Sequence, residues 1–206
     1  MDGVLAHSQE PIIRAANKKL GISFKYEQWT HHDLLFEEAI RLSGESPAVV
    51  AAWLFSAEVM NQSQPIPGSQ KAVKDIQHIA TVDIATGRPG DQQDITASWA
   101  YRHFPKIQGV YLRSPGDPEK GNDFKSRMLQ ELCGNMYLED DARMVATILT
   151  MVQSGLLPHL QRVLLMDRPW NSGYSVQNPV YRVGNWRKKN FGWSEVVHHI
   201  HELQHE

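Results

Sequence analysis

The chain has 206 residues with 21 basic and 23 acidic side chains, a formal net charge of −2, so it has no positive excess to draw it to nucleic acid or an anionic membrane. At 41% hydrophobic and 21% charged, it has the composition of one folded domain, or of a core with a smaller insertion, and not of a disordered chain. Its one cysteine, Cys133, cannot form an intrachain disulfide, the apolar run "PAVVAAWLF" is about half the ~20 residues a membrane-spanning helix needs, and no signal peptide opens the chain, so a soluble cytoplasmic protein is expected.

In chain order, "MDGVL" places Asp2 and a turn-permitting Gly3 just ahead of aliphatic residues. Helical spacing follows in "PIIRAANKKLGI", with Ile12, Ile13, Ala16 and Leu20 on one face and Gly21 as the stop. "DLLFEEAIRLSG" repeats it with Leu35, Ala39 and Leu42. In "SPAVVAAWLFSAEVM", Ser46 suits an N-cap and Pro47 the first helical position, and Val49, Val50, Trp53, Leu54 and Ala57 are the expected buried stripe. A linker is predicted over 62–70, where "QSQPIPGSQ" breaks the periodicity.

Beyond the linker, helices and short strands alternate. "KAVKDIQHIA", "DITASWAYRHF", "NDFKSRMLQELCG", "ARMVATILTMVQSG" and "SEVVHHIHELQHE" read as helices, and "TVDIATG", "GVYLRS", "NMYLEDD" and "RVLLMD" as strands. That order predicts an α/β fold, a parallel sheet covered by helices, with ligands beyond the carboxyl ends of the strands.

Polar groups gather at those ends. They are Asp2, Thr86 followed by Gly87 and Arg88, and the pair Asp140 and Asp141, with Lys125 in the helix before that pair. Adjacent acids at the tip of a buried strand need a cation, and oxygen-only donors favour a hard one, Mg²⁺ above all. A hydroxyl, a glycine-exposed backbone and a lysine can hold phosphate oxygens, so the set suits phosphoryl transfer. Arg88 either meets an anionic substrate or pairs with a neighbouring acid. Trp170 and Asn171 follow a strand end and are expected to border the site.

With these residues in hand, the sequence resembles the haloacid dehalogenase-like phosphohydrolase superfamily. "MDGVL" is similar to its first motif, Asp-x-Asp-Gly-aliphatic-aliphatic, from the x position onward, "TVDIATG" to the second, Lys125 to the third and "MYLEDD" to the fourth. "VLLMDRPWN" resembles a segment of members related to the 5'(3')-deoxyribonucleotidases. The resemblance implies a Rossmann-like parallel core at 1–7 and 66–206 with a helical C1-type cap inserted at 8–65. It implies Mg²⁺-dependent hydrolysis of a small phosphate ester, a nucleoside monophosphate foremost, with a sugar or other metabolite phosphate as the alternative. Asp2 would be the acid–base and touch Mg²⁺ through its carbonyl, Thr86 and Lys125 would hold the phosphoryl group, Asp140 and Asp141 the metal, and Gly87, Arg88, Trp170 and Asn171 the substrate. A haloacid dehalogenase proper is a poorer match, because its first motif lacks the second aspartate.

The resemblance departs at its first motif. The nucleophilic aspartate would stand one position before Met1, and the apolar strand that carries it is expected at the centre of the sheet. Two readings stay open: Met1 is an internal residue of the motif, or the chain is a remnant that binds a phosphorylated ligand or a protein partner without turnover. On either, the chain as written is expected to have little or no phosphatase activity.

Other features carry a competing structural reading. His198, His201 and His205 share a helical spacing, but Val196, Val197, Ile200 and Leu203 form the buried stripe of that helix and leave the histidines toward solvent. His31 and His32, and the aromatics Trp29, Trp53 and Phe55, fall in the expected cap, where they either approach substrate or pack its core.

Overall fold

The first helices form where spacing and punctuation predict them. In a computed structural model that describes residues 1–205, α1 spans Gln9–Leu20, α2 Leu34–Ser43, α3 Pro47–Leu54 and α4 Ala57–Met60. Gly21 and Gly44 end α1 and α2 in the left-handed conformation, and Ser46 caps α3 by accepting from Val49 N at 3.4 Å. Ile12, Ala16, Leu35, Ala39, Val50 and Leu54 make a core of their own between these helices.

The expected stripe of α3 is only half right. Val50 and Leu54 are buried, but Val49 is 47% exposed, Ala57 is exposed, and Trp53 turns aside to donate to Glu45. Because α3 is apolar on nearly every side, periodicity alone could not select its buried face. Leu42, expected on the buried face of α2, is 42% exposed in its last turn.

The helices enter and leave through one neck. Strand β1 (Ala6–His7) pairs antiparallel with β2 (Gln64–Pro65), Ala6 opposite Pro65 and His7 opposite Gln64. The predicted linker therefore contains a short strand, anchored further by Ile66 N donating to Leu5 O at 2.8 Å.

The α/β expectation holds. Helix α5 (Ser69–Ile76) precedes β3 (Asp83–Ala85), α6 (Gln93–His103) precedes β4 (Gly109–Tyr111), and α7 (Gly121–Leu132) precedes β5 (Met136–Glu139). Then come α8 (Ala142–Gln153), β6 (Arg162–Met166), β7 (Val180–Val183) and α9 (Trp193–Leu203). Beyond the neck the named strands pair parallel, β3 with β4 in one sheet and β5-β6-β7 in another. Strand β7 was not foreseen. Its four residues alternate too briefly, between Pro179 and Gly184, to stand out from a loop.

Strand β6 is buried along its whole length, with Leu164 and Met166 facing the core under α5 and α9, and Val163 and Leu165 that under α7 and α8. No helix among the described residues is long and apolar enough to cross a membrane.

Candidate active site

The chain just beyond the carboxyl ends of β3, β4 and β5 meets at one cavity of about 920 Å³. The core side of its wall includes Asp2, Thr86, Gly87, Arg88, Lys125, Asp140, Asp141 and Trp170. From the helical side come Ile12, Trp29, Phe36, Leu54, Phe55 and Met60. Residues as far apart in sequence as Met1 and Trp170 are thus brought together.

The loop after β3 is held tightly. Thr86 N donates to Tyr111 O at 3.0 Å, continuing the β3–β4 ladder, and its Oγ1 accepts from Arg88 N at 3.4 Å. Gly87 lies against Gly121 at the start of α7, and a Cβ on Gly87 would come within 3.0 Å of Gly121 Cα. Two glycines let the loop and the helix touch backbone to backbone.

Arg88 makes the ion pair, one of its two expected roles. Its Nε donates to Asp2 Oδ2 at 2.8 Å, its Nη2 to Asp2 Oδ1, and its Nη1 to Thr96 Oγ1 at 3.2 Å. Burial alone would raise the Asp2 carboxyl, but the fork of Arg88 outweighs it and holds the group at about 2. At neutral pH, Asp2 is therefore an ionised partner of Arg88 with no proton to give.

Glu139, at the last position of β5, was overlooked in favour of the acids after it. Its Oε2 accepts from Lys125 Nζ at 2.6 Å and Tyr137 OH at 3.0 Å, and its Oε1 from the backbone N of Asp140 at 3.0 Å and of Asp141 at 3.2 Å. Burial works against its charge, yet Lys125 keeps it ionised, well below the usual carboxylate range. The third acid in "LEDD" was the available signal.

Asp140 has the opposite fate. Its carboxyl lies against Gly3, where φ is +69° and any Cβ would overlap it, so the Asp-Gly turn is needed for this approach. Burial and the neighbouring Glu139 charge push it up to about 7, against the pull of His32 and Arg168. Asp141 faces its own helix instead, with Oδ1 accepting from Arg143 N at 2.9 Å and an ion pair to the Arg143 guanidinium at 3.1 Å. Arg143 also pairs with Asp33 at 2.5 Å, tying α8 to the helical region.

The segment "DRPWN" acts as a brace. Trp170 Nε1 and Asn171 Nδ2 both donate to Asp140 O, at 3.0 and 2.8 Å. Arg168, 1% exposed, donates through Nε to Gly3 O at 2.8 Å. Asn171, expected to border the site, is instead buried outside the cavity wall, its Oδ1 accepting from Arg168 N and Arg182 Nη1. Arg168 was missed because its partner lies 165 residues away.

Among the other candidates, His32 and Trp29 line the cavity, whereas His31 pairs with Glu37 at the surface. Trp29 and Trp170 lie 5.8 Å apart at 54°. His198, His201 and His205 are exposed, and His198 pairs with Glu202. Among the described residues no group of three or more His, Cys, Asp or Glu side chains is arranged to hold a metal ion.

The donor chemistry nonetheless suits a hard cation. The buried Asp140 carboxyl is disfavoured as an anion for lack of compensating positive charge, and Mg²⁺ commonly takes only one or two carboxylates and keeps its waters. Asp2, Glu139 and Asp141 are already neutralised by Arg88, Lys125 and Arg143.

No protein-family model matches this sequence, and no curated protein does. Solved structures do. A haloacid dehalogenase-like family hydrolase from Streptococcus pneumoniae is similar with a TM-score of 0.54 at 17% identity, covering 81% of each chain. A protein assigned as a phosphoglycolate phosphatase from Lactobacillus plantarum gives 0.52 at 13% identity, over 88% of this chain and 90% of that one. One assigned as a β-phosphoglucomutase from Thermotoga maritima gives 0.51 at 13%, over 98% and 96%. At such identities the likeness speaks for the fold alone, an α/β fold with parallel sheets and an N-terminal helical region like that of these proteins.

Proposed function

We propose that the cavity is a Mg²⁺-assisted site for a small phosphate monoester, with nucleoside monophosphates as the substrate class. The carrying observation is that Thr86, Arg88, Lys125 and Asp140, from three separate segments, line one wall while aromatic and aliphatic side chains line the opposite one. An anion is favoured near Arg88 and Lys125, and Thr86 Oγ1 adds a donor. Across the cavity, Trp29, Phe36 and Phe55 offer ring faces and edges to a planar base. A sugar phosphate would make less use of that wall. In this reading Asp140 would hold the metal, which when bound neutralises phosphoryl charge. Trp170 and Asn171 fix the Asp140 backbone, and Arg168 fixes the Asp2-Gly3 turn.

A second reading, binding without turnover, is favoured by the state of the acids. Asp2 is clamped by Arg88, Glu139 by Lys125 and Asp141 by Arg143, and Asp140 is turned onto Gly3. None of the four is an unencumbered carboxylate nucleophile, so residues 1–206 are expected to bind phosphate esters with little or no turnover.

Calorimetric titration of this polypeptide with adenosine monophosphate, ribose 5-phosphate and inorganic phosphate, with and without Mg²⁺, tests binding. Release of phosphate from p-nitrophenyl phosphate tests turnover. Saturable binding, tightest for the nucleotide, is expected. Failure of all three anions to bind at millimolar concentration would remove the reading, and brisk turnover would remove the argument about clamped acids.

A further inference from the structure

We propose that Gln9 is a specificity-determining residue that reads a vicinal diol on the sugar next to the phosphate ester, in a nucleoside 5'-monophosphate the 2'- and 3'-hydroxyls of ribose. The inference rests on the proposed reading of the cavity as a phosphate-ester site and narrows its substrates to ribonucleotides.

Most buried polar side chains on the cavity wall are already matched within the protein. Arg88 pairs with Asp2, Lys125 with Glu139 and Arg143 with Asp141, while Thr86 accepts from Arg88 N. Gln9 and Ser8 are the exceptions. Gln9 lines the cavity and is only 8% exposed, yet its amide makes no hydrogen bond among the described residues. Ser8, 1% exposed, is near enough to Asp2 to favour its charge, but its Oγ has no partner at full hydrogen-bond distance. Buried polar groups ordinarily have partners, so these two point to a ligand that supplies them.

Their place in the fold says which part of the ligand they meet. Ser8 stands beside Asp2 at the anion-holding end of the cavity, and Gln9 is the first residue of α1. Ile12, one turn further along the same helix, already belongs to the apolar wall. Gln9 therefore lies between the groups suited to a phosphate and those suited to a base, where a nucleotide carries its ribose.

The chemistry of the amide narrows the group it meets. Its oxygen only accepts and its nitrogen only donates. Two adjacent hydroxyls match that fork, one donating to Oε1 and the other accepting from Nε2, with Ser8 Oγ free to serve the nearer one. A ketone would use only the nitrogen, an ammonium only the oxygen, and a hydrocarbon neither. A second phosphate is a poor occupant, because the amide is neutral and adjoins the ionised Asp2. A base edge also offers a donor beside an acceptor, but the rings that would stack a base, Phe36 and Phe55, belong to α2 and the segment after α3.

A site built to bond a hydroxyl rejects the analogue that lacks it, because the buried amide is then left unpaired. Calorimetric titration of the 206-residue chain with adenosine monophosphate, its 2'-deoxy and 2',3'-dideoxy forms and inorganic phosphate, in Mg²⁺, reads this directly. The dideoxynucleotide is expected to bind about tenfold more weakly than adenosine monophosphate, with the deoxynucleotide between them. Gln9→Met, similar in size but without polar atoms, should bring the three nucleotides within about twofold of one another. Gln9→Asn, the same amide one carbon shorter, should lose most of the discrimination as well and serves if the methionine variant does not fold. Equal binding of the three nucleotides by the parent chain overturns the role of Gln9 and leaves the phosphate-ester reading standing. Full discrimination retained by both variants does the same, by assigning it to another residue. Failure of every nucleotide to bind, whether or not inorganic phosphate does, removes the nucleotide reading and this inference together.

Discussion

Arg88 grips Asp2 through two nitrogens, with Nε 2.8 Å from Oδ2, and so fastens the loop after β3 to the turn at Gly3 across 86 positions of sequence. Removing one partner of a largely buried pair strands the other charge, so Arg88→Met is expected to cost about 3 kcal/mol and lower Tm by roughly 6–12 °C. Asp2→Asn in the same background should return part of that loss. Chemical denaturation of both variants measures it; a Tm within a degree of the parent would show the pair to be idle.

The pair also sets an acid limit. The Asp2 carboxyl lies at about 2 in the folded chain against an ordinary 3.8, so its stabilisation is fully present above pH 4 and fades as pH falls toward 2. With the side chain 31% exposed, solvent screening keeps this to about 2 kcal/mol at most. The urea midpoint of the parent should therefore drop over that window more steeply than that of Arg88→Met.

Asp140 has the reverse dependence. A carboxyl raised to about 7 weakens the fold as pH climbs from about 4 through 7, because the unfolded chain gives up the proton over that window while the folded chain still holds it. Asp140→Asn keeps the shape and removes the ionisation. It should raise Tm by a few degrees at pH 8 in metal-free buffer and by less at pH 5, an ordering that scanning calorimetry at both pH values would confirm or reverse.

The sequence disclosed Thr86, Lys125 and Asp140 because alternating helices and strands place every strand end on the same side. It disclosed the strands for the same reason, and "RVLLMD", read as a strand, forms β6 over Arg162–Met166. What it hid was pairing between distant polar groups. Nothing local in "DRPWN" says that Arg168 bonds Gly3 O or that Asn171 bonds Asp140 O. Nor could periodicity choose between Glu139 and Asp141, since adjacent acids at a strand end differ only in which way the chain turns. Here Glu139 points to Lys125, and Asp141 starts α8.

Gly3 offers a controlled comparison. At Gly3 and at Gly21 φ is positive, +69° and +66°, but a Cβ at Gly21 meets nothing within 4 Å whereas at Gly3 it would overlap the Asp140 carboxyl. Gly21→Ala should cost about 1 kcal/mol, the left-handed penalty alone. Gly3→Ala adds displacement of Asp140, for a total of about 3 kcal/mol, within the usual range for overpacking a tight site. Equal losses in urea melts of the two variants would contradict the close approach.

The brace predicts a cost away from the cavity. Asn171 gives its Nδ2 to Asp140 O and Met166 O and takes bonds on Oδ1 from Arg168 N and Arg182 Nη1. Asn171→Leu has nearly the same size but loses all four bonds, with Trp170 Nε1 still on Asp140 O and Asp167 Oδ1 still on Arg182 Nη1, and is expected to cost about 3 kcal/mol. Serine at 171 should lose as much through the space it leaves. A loss below about 1 kcal/mol for the leucine variant, by chemical denaturation, would mean water replaces the brace.

Phe55 separates a base-binding wall from a merely apolar one. It lines the cavity with Phe36, the rings 5.8 Å apart at 36°, and the structure gives it no bond to Asp2, Thr86, Lys125 or Asp140. If a nucleobase stacks there, Phe55→Ala removes about 1 kcal/mol of contact, so adenosine monophosphate should bind about fivefold more weakly. Inorganic phosphate, which in the proposed reading sits across the cavity near Arg88, Lys125 and Thr86, should bind as before. Equal weakening of both anions would mean that Phe55 only supports the shape of the cavity. No change in either would move the bound base elsewhere or favour the sugar phosphates, for which a ring face at this distance from the anion has little use.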